Sequence, residues 1–298
     1  MTMNRRGLLI AATTMMTVPA LTATFGRQAR AAAGWPARLP PIFARLEKEA
    51  QGRLGIYVLD TGDGASAGLR AGERFPMCST FKMVLAAHIL ARVDQRKEQL
   101  DRRLPVAKSD IVPYSPVVER RVGADMSVGE LCEAIMTLSD NGAANLLLNT
   151  FGGPAAMTEY ARSIGDTSFR LDRMETMMSE AKPGDVRDTT TPQAMAQTLR
   201  RLALGDALSA SSKAQLLAWM KANKTGDTRI RAGLPKDWIV GDKTGAGGHG
   251  TSNDVAIVWP KNRAPLILSV YLNGSKAPVA KRDGIIASVA TEVAQALG

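Results

Sequence analysis

The sequence predicts an α/β protein whose two chain ends together build one layer of strands and helices, with a mainly helical block inserted between them. Three observations predict it. A helix-then-strand pattern opens the chain once its first 33 residues are set aside. Strands followed by a helix close it. Between about 79 and 220, apolar residues recur mostly at helical spacing. With 298 residues, 45% of them apolar, the chain can bury a large core as one large domain or two smaller ones.

Taken in order, "MTMNRRGLLIAATTMMTVPALTATFGRQARAAAGWP" sets Arg5 and Arg6 before an apolar run and small residues around Ala29, Ala31 and Ala33. That is a signal-peptide pattern over residues 1–33 with A-x-A-like cleavage options, rather than a membrane anchor. The adjacent arginines suit twin-arginine export, although ordinary export signals also begin with basic residues. The expected location is therefore outside the cytoplasm, in the periplasm. "LPPIFARLEKEAQ" reads as an amphipathic helix and "RLGIYVLDTGDG" as a strand ending in a turn. Helices are expected at 79–94, 127–139, 141–150, 154–164, 191–204 and 209–221. "SDIVPYSPVVERRVGADM" and "TSFRLDRMETMMSEAKPGDVRDTTTP" interrupt them as loops, the second long enough to suggest a function. "DWIVGDKTGAG", "TSNDVAIVWP" and "PLILSVYLN" read as a meander, and "PVAKRDGIIASVATEVAQAL" as the final helix. The division expected is 34–72 with 213–298 as the α/β domain and 73–212 as the helical one, including a loop at 169–188.

Composition removes several function classes. The first 33 residues hold four arginines and no acids, so their loss takes the formal charge from +10 to +6. The remaining basic residues are scattered, aromatics are 5%, and no nucleic-acid-binding motif appears, so no nucleic-acid partner is expected. The charge suits solubility or attraction to an anionic envelope. Cys78 adjoins Ser79 and Cys132 falls in a different helix; both are read as buried free thiols. His88 and His249 read as structural, so no metal site and no Ser-His-Asp triad is expected.

"PMCSTFKMVLAAHIL" puts Lys82 three residues after Ser79, on one helical face near a helix start. That spacing could hand a serine nucleophile an amine base, or could be a capping serine beside a solvated lysine. Ser179 and Lys182 repeat the spacing, so the pair alone decides nothing. "STFK" at 79–82, "SDN" at 139–141 and "KTG" at 243–245 then appear in order. Each is weak alone. Together they resemble the class A active-site serine β-lactamases, whose motif set this is. The likeness extends through "PYSP", "RLDRME", "GDVRDTTTP" and the last strands, over essentially all of the chain after the signal.

The resemblance implies an antiparallel five-stranded sheet flanked by helices, built from both termini, with an inserted helical domain. It also implies hydrolysis of the β-lactam amide of penicillins and cephalosporins through a serine acyl-enzyme, hence antibiotic resistance. The partner is a small-molecule β-lactam, the enzyme a monomer without a membrane anchor, and no cofactor is required. Ser79 matches the nucleophile, Lys82 a candidate base, Glu175 the loop glutamate that activates water, and Ser139 the proton relay to the leaving nitrogen. Asn141 matches the amide that holds the acylamino side chain. Lys243, Thr244 and Gly245 match the carboxylate-binding strand, and Ala246 an oxyanion N–H that works with that of Ser79. Tyr114 matches the aromatic wall of the entrance, Asn145 the prop behind the glutamate, and Arg173 with Asp188 the ion pair closing the loop. Asp140 is read as structural.

Three positions depart from common family patterns. Ser179 stands where many members place a water-holding asparagine. Ser252 stands where some carry an arginine, and Arg229 falls where others supply the substitute guanidinium. Thr176 follows Glu175 where many relatives have proline, so a cis bond there would be a non-proline one. Gly247 and Gly248 are expected to leave room at the strand edge. Two other readings are weighed beside the lactamase: a penicillin-binding D,D-peptidase, which acylates but deacylates poorly, and a non-catalytic envelope binding protein. The Glu175 loop argues against the first, and the intact nucleophile and oxyanion motifs against the second.

Overall fold

The structure is a computed structural model that describes residues 34–297; the expected signal peptide lies outside the described residues. Helix α1 (Trp35–Ala50) begins earlier than the sequence suggests and holds Pro40 and Pro41. Its buried residues Leu39, Phe43, Leu46 and Ala50 recur at helical spacing, so packing on the sheet outweighs the proline penalty. Strand β1 (Arg53–Asp60) turns into β2 (Ser66–Leu69). The chain then passes β3 (Phe75–Pro76), a 3₁₀ turn at Cys78–Thr80, and α2 (Phe81–Asp94). Next come β4 (Arg103–Pro105), β5 (Asp125–Ser127), α3 (Val128–Thr137), α4 (Asn141–Asn149) and α5 (Gly153–Ser163). After the long loop follow β6 (Thr189–Thr190), α6 (Pro192–Leu204) and α7 (Ala210–Lys221). The chain closes with β7 (Ile239–Gly247), β8 (Thr251–Trp259), β9 (Leu266–Asn273) and α8 (Val279–Leu297).

The main sheet runs β2-β1-β9-β8-β7 with every neighbour antiparallel, so both chain ends do build it. Alternation sorts its side chains onto two faces. Ile56 and Val58, with Ala256, Val258, Leu268 and Val270, join the apolar sides of α1 and α8. Tyr57, Leu59, Val255, Ile257, Ile267 and Tyr271 face the opposite way and share one continuous core with the central helices. Helix α2 runs through that core with nearly every side chain buried, which is why its sequence shows little amphipathic contrast.

Two helix boundaries matter for chemistry. Ser127 caps α3 through a capping box with Glu130, and α3 ends at Thr137, two residues short of its expected end. Ser139 therefore lies outside the helix, with φ +60°. Asp140 then caps α4 by accepting from the N–H of Ala143. Strand β7 is an edge strand and packs against the Cys78–Thr80 turn. A Cβ on Gly245 would stand 2.8 Å from the Met77 carbonyl oxygen, so only glycine permits that approach.

Candidate active site

The turn at 78–80 opens α2 and presents Ser79, while Lys82 enters the interior one turn later and is fully buried. Lys82 Nζ donates to Ser79 Oγ at 3.0 Å and to the Ser139 carbonyl at 2.8 Å. It also donates to Asn141 Oδ1 and lies 3.1 Å from Glu175 Oε1. Ser79 Oγ itself is 3.4 Å from Glu175 Oε1. Hydroxyl, amine and carboxylate thus close a triangle. Burial pushes the Lys82 ammonium below its ordinary pKa, and the Glu175 carboxylate holds it up against that.

Glu175 is held from two sides. Asn145 on α4 bonds the Glu175 carbonyl at 2.9 Å through Nδ2 and accepts its N–H at 3.0 Å through Oδ1. Ser179 Oγ donates to Glu175 Oε2 at 3.1 Å, so the shorter side chain reaches the carboxylate directly. The Glu175–Thr176 bond is cis. At the loop's neck Arg173 Nε meets Asp188 Oδ2 at 2.6 Å, and Asp188 Oδ1 accepts the N–H groups of Asp172 and Arg173.

Across the cleft Lys243 is fully buried and donates to Ser139 Oγ at 3.1 Å and to the Thr244 carbonyl at 3.0 Å. Burial, helped by the charge of Lys82, pushes its pKa down to about 7. Ser79, Tyr114, Ser139, Asn141, Ser179, Arg229, Thr244, Gly245 and Ala246 line one cavity of about 440 Å³. Lys82, Glu175 and Lys243 lie behind its wall, bonded to the lining residues Ser79 and Ser139. The Arg229 guanidinium is fixed by Asp283 at 2.9 Å and by the carbonyls of Gly245 and Asn253. Its remaining nitrogen, Nη2, has no hydrogen bond among the described residues. Ser252 is buried on β8 opposite Ala246 and carries no charge into the cavity.

Gly247 and Gly248 correct one expectation. They do not open space at the strand edge, because a Cβ at either would stand about 2.5 Å from the carbonyl oxygens of Ser179 and Glu180. The loop backbone fills the gap, and the Gly248 N–H bonds the Ser179 carbonyl at 3.0 Å. Sequence reasoning also missed Thr225, which lines the cavity and bonds the Thr244 hydroxyl, and Asp283, which holds Arg229 from α8. Neither sits in a motif, and only the fold brings them near. Cys78 and Cys132 are both buried free thiols.

The profile of the β-lactamase enzyme family matches residues 39–297. The chain belongs to the class A β-lactamase family. This β-lactamase is 48% identical over 257 residues to the carbapenem-hydrolyzing β-lactamase KPC of Klebsiella oxytoca, across 86% of this chain and 88% of that protein. It is 46% identical over 288 residues to β-lactamase Toho-1 of Escherichia coli, across 96% of each. Among solved structures, the ancestral GNCA class A β-lactamase, of the last common ancestor of Gram-negative bacteria, superposes with a TM-score of 0.86 at 60% identity. That match covers 87% of this chain and 100% of the other. The enzyme is accordingly a hydrolase of the β-lactam amide.

Proposed function

We propose that Ser79 attacks the β-lactam carbonyl to form an acyl-enzyme, and that Glu175 drives its hydrolysis. The observation that carries this is the closed triangle of Ser79 Oγ, Lys82 Nζ and Glu175 Oε1 in a buried wall of the cavity. Lys82 orients Ser79 and conveys its proton, because an amine held against its desolvation cost can exchange protons with a hydroxyl 3.0 Å away. The N–H groups of Ser79 and Ala246 stabilise the developing oxyanion, β7 being an edge strand with free donors. Ser139, bonded to Lys243, returns a proton to the leaving nitrogen. Lys243, Thr244 and Arg229 bind the substrate carboxylate; Asn141 and Tyr114 hold its side chain. In deacylation Glu175 takes a proton from water, positioned with help from Ser179. Asn145, Arg173 and Asp188 support the loop.

The same reading takes 34–72 with 213–298 and 73–212 as two domains with the cleft between them. It keeps residues 1–33 as an export signal and the mature enzyme as a periplasmic monomer. No helix among the described residues is long and apolar enough to cross a membrane.

General-base assistance is worth roughly 10²–10⁴-fold. After mixing with benzylpenicillin, intact-mass spectrometry should find no adduct on Ser79→Ala and a persisting adduct on Glu175→Ala. Turnover by Glu175→Ala at the unmodified rate would overturn the deacylation assignment.

A further inference from the structure

A second large cavity, of about 680 Å³, lies behind the segment that carries Tyr114. Pro113 and Tyr114 face the catalytic cavity, whereas Pro116 and Val117 line this one. Met126, Ala134 and Leu138 complete an apolar floor. Its size falls in the range of small-molecule sites, roughly 300–1,000 Å³. Four charges rim it. Arg121 pairs with Glu130 at 2.9 Å, and Glu130 also meets Arg103 at 3.3 Å. Arg120, from the turn at 118–121, and Glu133, from α3, also line it and are exposed. Neither side chain has an ion-pair or hydrogen-bond partner among the described residues.

We propose that this cavity binds a small zwitterion with an apolar body, of amino-acid or dipeptide chemistry, and that its occupation alters catalysis. A purely apolar ligand would cover both charges without partnering either, and a simple anion would leave Glu133 against its apolar body; both carry a desolvation cost. A carboxylate on Arg120 and an ammonium on Glu133 avoid it. The cavity walls belong to the segments that hold catalytic groups. Asp140 Oδ2 accepts the N–H groups of Val117 and Val118 at 2.8 and 3.0 Å, while its Oδ1 caps α4. Leu138 adjoins Ser139, whose carbonyl and hydroxyl meet Lys82 and Lys243. The Asn141 N–H bonds the Tyr114 carbonyl at 2.9 Å. A ligand bearing on Val117 or Leu138 therefore acts on Tyr114, Ser139 and Asn141 together. The catalytic half of this inference rests on the roles proposed above; the binding half does not.

The probe is the dipeptide phenylalanyl-leucine, titrated into the ¹⁵N-labelled enzyme and into its Ser79→Ala variant. Amide shifts should centre on Val117, Thr137 and Leu138 in both proteins. Arg120→Ala should weaken the free dipeptide by roughly 3- to 10-fold but leave its C-terminal amide unaffected. Glu133→Ala should do the same to the free dipeptide and leave the N-acetylated form unaffected. Inhibition or activation of penicillin hydrolysis should act on kcat and not compete with substrate. No shifts, shifts confined to the catalytic cavity, or equal sensitivity of the blocked and free dipeptides to the two variants would refute the site. Binding that meets every other criterion but is purely competitive would refute the coupling alone.

Discussion

At the residue scale, the two charged side chains proposed to bind the substrate carboxylate, Arg229 and Lys243, each depend on buried neighbours. Arg229 depends on Asp283, 54 positions away, for its orientation. Removing that charge-assisted hydrogen bond by Asp283→Ala should raise KM for penicillins about 5- to 30-fold while kcat changes little. An unchanged KM would return Asp283 to a merely structural role. Lys243 is a different case. Burial and the neighbouring Lys82 charge lower its pKa to about 7, so its ammonium is present below that pH and lost as pH rises through it. kcat/KM reports the free enzyme and should therefore fall on an alkaline limb that begins near there. Lys243→Arg keeps the cation at every accessible pH and should flatten the limb. A wild-type profile level to pH 9, or an unchanged limb in the variant, would count against this assignment.

At the element scale, Asp140 ties two pieces together. One fully buried carboxylate caps α4 and accepts two N–H groups from the 113–118 segment. Alanine there would strand three backbone donors, at about 1–3 kcal/mol for each left unsatisfied. Asp140→Ala should lower the Tm by roughly 8 °C or more, given about 2–4 °C per kcal/mol for a chain of this size. Asp140→Asn should fall between it and the parent, because one of the two acceptor oxygens becomes an NH₂. Calorimetry checks both, and a shift under 2 °C in the alanine variant would contradict the account. Capping was legible here: Asp before Asn at a helix start announced α4. The end of α3 was not. Ser139 continues the helical pattern in sequence, and its φ of +60° answers to the bonds that Lys82 and Lys243 make with it from elsewhere.

At the scale of the whole molecule, export is checked by the intact mass of periplasmic protein, which should lack about thirty N-terminal residues; retention of Arg5 and Arg6 would exclude it. The described chain closes on itself through β1 pairing with β9, which joins residues some 210 positions apart in sequence. The sequence by itself determined the order of the helices and of the long strands β1, β7, β8 and β9, and the motif residues Ser79, Lys82, Ser139 and Lys243. Periodicity, caps and motif spacing act over a few residues and can be read within them. Only the tertiary structure decided that Lys82 meets Glu175, that Asp283 fixes Arg229, and that the backbone at 179–180 fills the space beside Gly247 and Gly248. Those contacts arise when distant segments are packed onto a common core. No local pattern records them, because each side chain is equally compatible with solvent until the sheet closes and brings its partner into reach.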